Sequence, residues 1–281
     1  MNAQKGDNLK LMLLEVPPGF LVDSRWFSAR DISRSSVHDY ARRGWLERVA
    51  HGVYRRPLPS STAVQDIEDW QILVLSLQRI MHYDVHVGGA TALGLQGYTH
   101  YLRLGGEAPV FLYSDDLPGW TDRISTSAKL ILRSRKLFKD AALGLDGLHG
   151  EGGDARPSPA PWWKWPLVRS TPERAILEAL NELPDTESFH MLDIAFESLT
   201  TLRPRKLTAL FASCASVKVK RLFFVFADRH AHAWRKHINP ETAGLGTGDR
   251  ALVKGGKLHP RYRITIPSEY VSRKNEVAHG T

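Results

Sequence analysis

Three histidines crowd into DRHAHAWRKH, residues 228–237, and three glycines into GLGTGDR, residues 244–250. The first pattern invites a metal site and the second a phosphate cradle. On a helix, residues two apart face different sides, so His230 and His232 do not readily share one ion with His237. No cysteine or clear carboxylate partner stands near them. The glycine run lacks the preceding strand and following helix that a phosphate loop needs, and a solvated turn leading into a terminal hairpin accounts for it. VGGATALGLQG (87–97) reads as small residues that let helices pack closely, and the proline-flanked PWWKW (161–165) as loop packing rather than base stacking. The Ser-Asp-Asp run at 114–116 is the one candidate carboxylate cluster for a nuclease or transferase, and a surface turn explains it more simply. No nucleophile, base and orienting group share a motif. Neither catalysis, a metal nor a cofactor is expected.

Residues 34–57, RSSVHDYARRGWLERVAHGVYRRP, suggest a different chemistry, the recognition of a polyanion. They hold six arginines against two acids, Asp39 and Glu47. Ser33 can cap a helix from Arg34 to about Arg43 that ends at Gly44. Val37, Tyr40 and Ala41 share its buried face, which leaves Arg34, Ser35, His38, Asp39 and Arg42 outside. A preceding helix in FLVDSRWFSARDIS, with Ser24 as its cap, is separated from it only by Asp31-Ile32-Ser33, the spacing of a helix-turn-helix. In such a unit the N-terminal residues of the second helix reach base edges in the major groove. WLERVA and VYRRP then form a hairpin about His51-Gly52, with Gly52 free to take positive φ. That hairpin is a wing, and Arg48, His51, Arg55 and Arg56 would meet phosphates beside the groove. A winged helix that binds protein is the alternative, and the arginine excess favours DNA.

Charge divides the rest of the chain. Residues 1–58 carry +4, residues 59–199 −7 and residues 200–281 +11, within a total of +8. A basic head and a strongly basic tail suggest polyanion partners. RPLPSST (56–62) is a Pro/Ser-rich linker, which sets a winged helix-turn-helix domain at 1–60 before a larger mixed α/β domain at 63–281, an α+β chain overall. A helix over residues 63–81 carries Ile67, Trp70, Val74 and Leu77 as a core-facing stripe. Strands are expected at 109–114 and 128–134, and helices from Pro172 and over 187–199, 204–214 and 217–234. Two β segments should flank Gly255-Gly256. The single cysteine, Cys214, excludes an internal disulfide. No run approaches the ~18 apolar residues of a membrane span. A soluble cytoplasmic protein is expected.

Several segments together resemble the AbiEi-type antitoxins and transcriptional regulators of type IV toxin–antitoxin systems. They are the winged-helix segment above, VGGATALGLQGYTHYL, VRSTPERAILEALNELP, KVKRLFFVFADRHAHAW and GTGDRALVKGGKLHPRYRITIP, the last being the most specific. The resemblance implies a repressor that binds inverted repeats in its own promoter, and a C-terminal domain that opposes a nearby-encoded, nucleotidyltransferase-like toxin without a stable complex. That leaves the basic tail to contact the toxin's nucleic-acid target, RNA included. Carried over by position, Arg34, Ser35, Ser36, His38 and Arg42 would read DNA, and His51, Gly52, Arg55 and Arg56 belong to the wing. Lys218, Lys220, Arg221, Arg250, Lys254, Lys257 and Arg263 match the family's basic positions. A free-standing regulator without a toxin, or a DNA-targeted nuclease or transferase, is the competing reading.

Overall fold

A computed structural model describes residues 2–58, 69–98, 109–147 and 164–271. The chain forms two compact units, one of residues 1–86, 105–133 and 147–168, the other of residues 87–104, 134–146 and 169–281. Among the described residues no helix is long and apolar enough to cross a membrane.

The first unit starts with α1 (Asn2–Glu15), which stops before Pro17-Pro18, and β1 (Leu21–Asp23). Then come α2 (Ser24–Ser28), α3 (Arg34–Arg42), β2 (Glu47–Ala50) and β3 (Val53–Arg55). The three strands form an antiparallel sheet in the order β1-β3-β2, with Val22 opposite Tyr54 and Arg48 opposite Tyr54 on the other side. The sequence puts the α2 cap at Ser24; the cap is Asp23, whose Oδ1 accepts from Trp26 N at 2.9 Å because β1 runs directly into the helix. Its Oδ2 accepts from the Tyr83 hydroxyl at 2.6 Å.

The expected linker lies partly outside the described residues, at 59–62, and the N-terminal core continues beyond it. Helix α4 (Asp69–Leu75) and the wide turn Ser76–Ile80 bury Ile72, Leu75 and Ile80 in one cluster with Met12, Phe20, Val22, Trp26, Val37 and Tyr40. Ser76 Oγ also accepts from Leu21 N at 3.0 Å. The first unit therefore does not close at residue 60. After the short strand β4 (His86–Val87), the parallel pair β5 (Val110–Tyr113) and β6 (Leu130–Arg133) falls where strands are expected.

The second unit centres on α6 (Pro172–Asn181), α7 (Phe189–Ser198), α8 (Pro204–Ser213) and α9 (Val217–His230). Proline at the first helical position starts α6 and α8. Residues 219–227 of α9 are all buried, because LFFVFA puts apolar side chains on every face. Helix α5 (Gly89–Leu95) lays Ala92 and Leu93 into this core, so its small residues do allow close packing. The Arg174–Glu178 pair is fully enclosed at 2.7 Å, and Glu178 also accepts from Ser170 Oγ and Gly89 N. In the short strands β7 (Leu145–Asp146) and β8 (Arg169–Ser170), Leu145 stands opposite Ser170.

The terminal sheet corrects the hairpin expected around Gly255-Gly256. Strands β9 (Arg250–Ala251) and β10 (Lys257–Leu258) do not pair with each other; both pair with the buried central strand β11 (Ile264–Ile266), β9 parallel and β10 antiparallel. Gly256 allows this close approach, since a Cβ there would stand 2.6 Å from the Ile266 carbonyl oxygen.

Candidate nucleic-acid interfaces

Helix α3 owes its position to local signals. Ser33 Oγ accepts from Ser36 N at 3.2 Å, Val37 and Tyr40 are buried, and Gly44 turns the chain out at φ +79. Arg34, His38 and Arg42 are consequently exposed at i, i+4 and i+8, one stripe on the outer face. Ser35 is exposed beside them, its hydroxyl 2.9 Å from that of Ser33. Arg42 reaches back to Asp39 at 3.0 Å. Such an exposed pair costs ~0–1 kcal/mol to part, so it does not commit the arginine.

Ser36 departs from expectation. It is only 4% exposed and its hydroxyl lies 3.0 Å from Ser33 Oγ. The residue completes the helix start, and its inward direction keeps it from base edges.

The hairpin tip forms as the sequence requires. Ala50 pairs with Val53 across His51-Gly52, and Gly52 has φ +71. Arg48 lies 3.0 Å from His51 Nδ1, and Arg55 pairs with Glu47 at 2.8 Å; all four are exposed. Ser24 donates from both its N and its Oγ to the Gly52 carbonyl, at 2.9 and 3.1 Å, which fastens the tip to the start of α2. Arg56 is a second correction. Its guanidinium is half-buried and donates to the carbonyls of Leu13 and Val16 at 2.7 and 2.6 Å, with burial holding its pKa below the usual arginine value. It closes the end of α1 and does not face solvent phosphates. Arg43 and Trp45, which no sequence motif singles out, are exposed between α3 and the hairpin, Trp45 at 44%. The positive φ of Gly44 just before Trp45 is the available signal, because it turns the tryptophan out of the strand pattern.

The basic positions of the second unit separate into two groups. Arg250, Lys254, Lys257 and Arg263 are exposed on or beside the terminal sheet, Arg263 at φ +51 and 2.6 Å from Asp249. Lys218, Lys220 and Arg221 are not open surface. Lys218 Nζ donates to the carbonyls of Asn181 and Leu183 at the end of α6, at 2.7 and 2.9 Å. Arg221, 2% exposed, donates to the carbonyls of Leu245, Gly246, Gly248 and Arg263. Lys220 is 8% exposed. Lys218 and Arg221 reach inward from a helix buried along residues 219–227 and spend their donors on main-chain carbonyls.

The histidines also have main-chain and side-chain partners. His230 Nε2 lies 2.6 Å from Asp193 and His232 Nε2 2.7 Å from the Phe196 carbonyl. The two rings nevertheless stack, 5.9 Å apart, because α9 ends at His230 and Ala231 turns left-handed; the helical-spacing argument does not apply beyond the helix end. Among the described residues no group of three metal-type ligands gathers. Ser114 Oγ donates to the Asp84 carbonyl and accepts from Asp116 N, the surface-turn pattern. Trp165 packs edge-on against Phe20, while Trp162 and Trp163 lie outside the described residues.

Comparison with known proteins gives a fold neighbour and a family. The crystal structure of the RV2827C protein from Mycobacterium tuberculosis matches with a TM-score of 0.52 at 14% identity, over 91% of this chain and 88% of that one. At that identity the likeness speaks for the fold alone. No curated protein matches. Residues 5–104 match the model of the AbiEi antitoxin N-terminal domain of transcriptional regulators. Residues 107–267 match that of the transcriptional regulator, AbiEi antitoxin, of type IV toxin–antitoxin systems. The chain belongs to the AbiEi family of antitoxins and transcriptional regulators of type IV toxin–antitoxin systems.

Proposed function

We propose that this protein is a repressor that binds inverted repeats in its own promoter and an antitoxin that opposes a nucleotidyltransferase-like toxin encoded nearby. The observation that carries the DNA half is the exposed Arg34–His38–Arg42 stripe on a capped helix, followed by a hairpin bearing Arg48, His51 and Arg55. An α-helix is about 10–12 Å across with its side chains and fits a major groove about 12 Å wide. Arg34, Ser35, His38 and Arg42 then face base edges, and Arg48, His51 and Arg55 the flanking phosphates, with Gly52 setting the turn. The antitoxin half rests on Arg250, Lys254, Lys257 and Arg263, whose exposed charge suits a nucleic-acid target that the toxin modifies. No stable antitoxin–toxin complex is required.

Anisotropy titration of promoter DNA at two salt concentrations tests the first half. Arg34→Ala with Arg42→Ala should weaken operator binding by about 1–3 kcal/mol for each guanine that an arginine reads, and binding to unrelated DNA much less. Arg55→Ala should weaken all DNA alike and flatten the salt dependence. Full operator affinity in the Arg34/Arg42 double variant would remove α3 from the recognition role.

A further inference from the structure

The glycine run 244–249 is more than a solvated turn. Gly244, Gly246 and Gly248 have φ of +71, +64 and +73, and the buried Arg221 beneath them donates to the carbonyls of Leu245, Gly246 and Gly248 at 2.8, 3.2 and 2.7 Å. In a trans peptide the carbonyl and the following N–H point opposite ways. Carbonyls gathered inward around Arg221 therefore turn the amides of Gly246, Thr247 and Asp249 outward, and these three residues are exposed. None of the three amides donates a hydrogen bond among the described residues.

Lys220 adds a second, independent observation. It is 8% exposed, and no hydrogen bond or ion pair engages its ammonium among the described residues. That ammonium lies 3.4 Å from where a Gly244 side chain would begin, so the bare glycine leaves room for it. Exposed Arg250 and Arg263 flank the loop, and the loop's own carboxylate, Asp249, is engaged by Arg263 at 2.6 Å. Burial, and after it the charge of Arg250, lowers the Arg221 pKa from its ordinary value. With the loop's carboxylate already engaged and the recessed Lys220 ammonium held by no protein group among the described residues, the positive charge gathered here suits an anion from outside.

We propose that Lys220, the outward amides of Gly246, Thr247 and Asp249, and Arg250 bind a terminal phosphate group, such as a nucleoside triphosphate or a 5′-phosphorylated RNA end presents. A recessed ammonium admits a chain end more readily than a bridging phosphodiester. The biological use of the site rests on the antitoxin reading above; the binding does not, so failed growth rescue by the antitoxin would leave it standing.

The full-length protein is titrated calorimetrically with inorganic pyrophosphate and GTP, with guanosine as the control. Separately, 5′-phosphorylated and 5′-hydroxyl forms of one short RNA are compared by anisotropy. Lys220→Met should weaken pyrophosphate binding about tenfold or more. Arg250→Ser, an exposed change that leaves the core untouched, should weaken it several-fold. GTP binding assigns the site to nucleotides, and a preference for the phosphorylated RNA assigns it to RNA ends. Circular dichroism shows whether Lys220→Met is folded; if it is not, Arg250→Ser alone decides. The proposal is overturned if the wild type binds neither pyrophosphate nor GTP at millimolar concentration. Wild-type affinity in the folded variants overturns it too, as does equal affinity for both RNA forms in a protein that does not bind GTP, which would mark a diffuse basic surface.

Discussion

Replacing Gly52 by alanine tests the join between the hairpin tip and α2. At φ +71 an L-residue costs about 1–2 kcal/mol. The added Cβ would stand 2.8 Å from Ser24 Oγ, closer than real Cβ atoms come, so that hydroxyl must swing away and surrender its 3.1 Å bond to the Gly52 carbonyl. An exposed neutral hydrogen bond is worth about 0.5–1 kcal/mol. The sum is about 1.5–3 kcal/mol in the wild-type background. With Ser24→Ala in place the obstacle is gone, the next atom being Ser24 Cβ at 3.7 Å, and the cost should fall to the backbone part alone. Urea titrations of the four proteins give a coupling of about 0.5–1 kcal/mol, and promoter-DNA anisotropy should track it. An alanine tolerated at full stability would refute the left-handed turn, and an equal penalty in both backgrounds would refute the contact with Ser24.

Arg56→Ala should behave as a stability variant, costing about 1.5–3 kcal/mol with its bonds to Leu13 and Val16, and its salt slope on DNA should equal that of the wild type. Arg221→Met should cost about 3 kcal/mol or more, since it strands buried carbonyls of the 245–248 loop; thermal melts check this, and a change within 1 °C or so would show that the loop does not depend on it. Charge reversal at Lys254, Lys257 and Arg263 together should abolish growth rescue against the neighbouring toxin while circular dichroism stays unchanged. Full protection by that folded variant would sink the basic-surface mechanism.

Much of the first interface is legible in the sequence because its determinants are local. Ser33, Val37, Tyr40 and Gly44 define α3 within a dozen residues, and His51-Gly52 defines the turn. What is not legible depends on distant partners. Arg56 finds carbonyls forty residues away on α1, and Arg221 finds them on a loop more than twenty residues later, so both look like surface cations in sequence. One signal for Arg221 is present: six consecutive apolar residues, LFFVFA, leave a helix no solvent face, and the cations just before them are carried inside. The stripe on α4 faces a core as its spacing requires, but periodicity does not say which core receives it. Trp70, Val74 and Leu77 are buried and Ile67 lies outside the described residues, but it is Ile72, Leu75 and Ile80 that join Met12 and Phe20, and the boundary expected at residue 60 moves with them.

Because residues 147–168 also belong to the first unit, with Trp165 and Leu167 packed on its core, the unit that carries α3 and its hairpin has a place in time as well as in space. During synthesis α3 and its hairpin leave the ribosome early, yet their hydrophobic support is incomplete until residue 168 emerges. At about 5–20 residues per second this interval lasts roughly 5–20 s. A nascent chain therefore lacks a complete core under α3 and its hairpin until residue 168 is made, and only then does the larger part of the second unit, residues 169–281, follow. Premature termination or proteolysis before residue 168 likewise leaves α3 and its hairpin on a first unit whose core is incomplete.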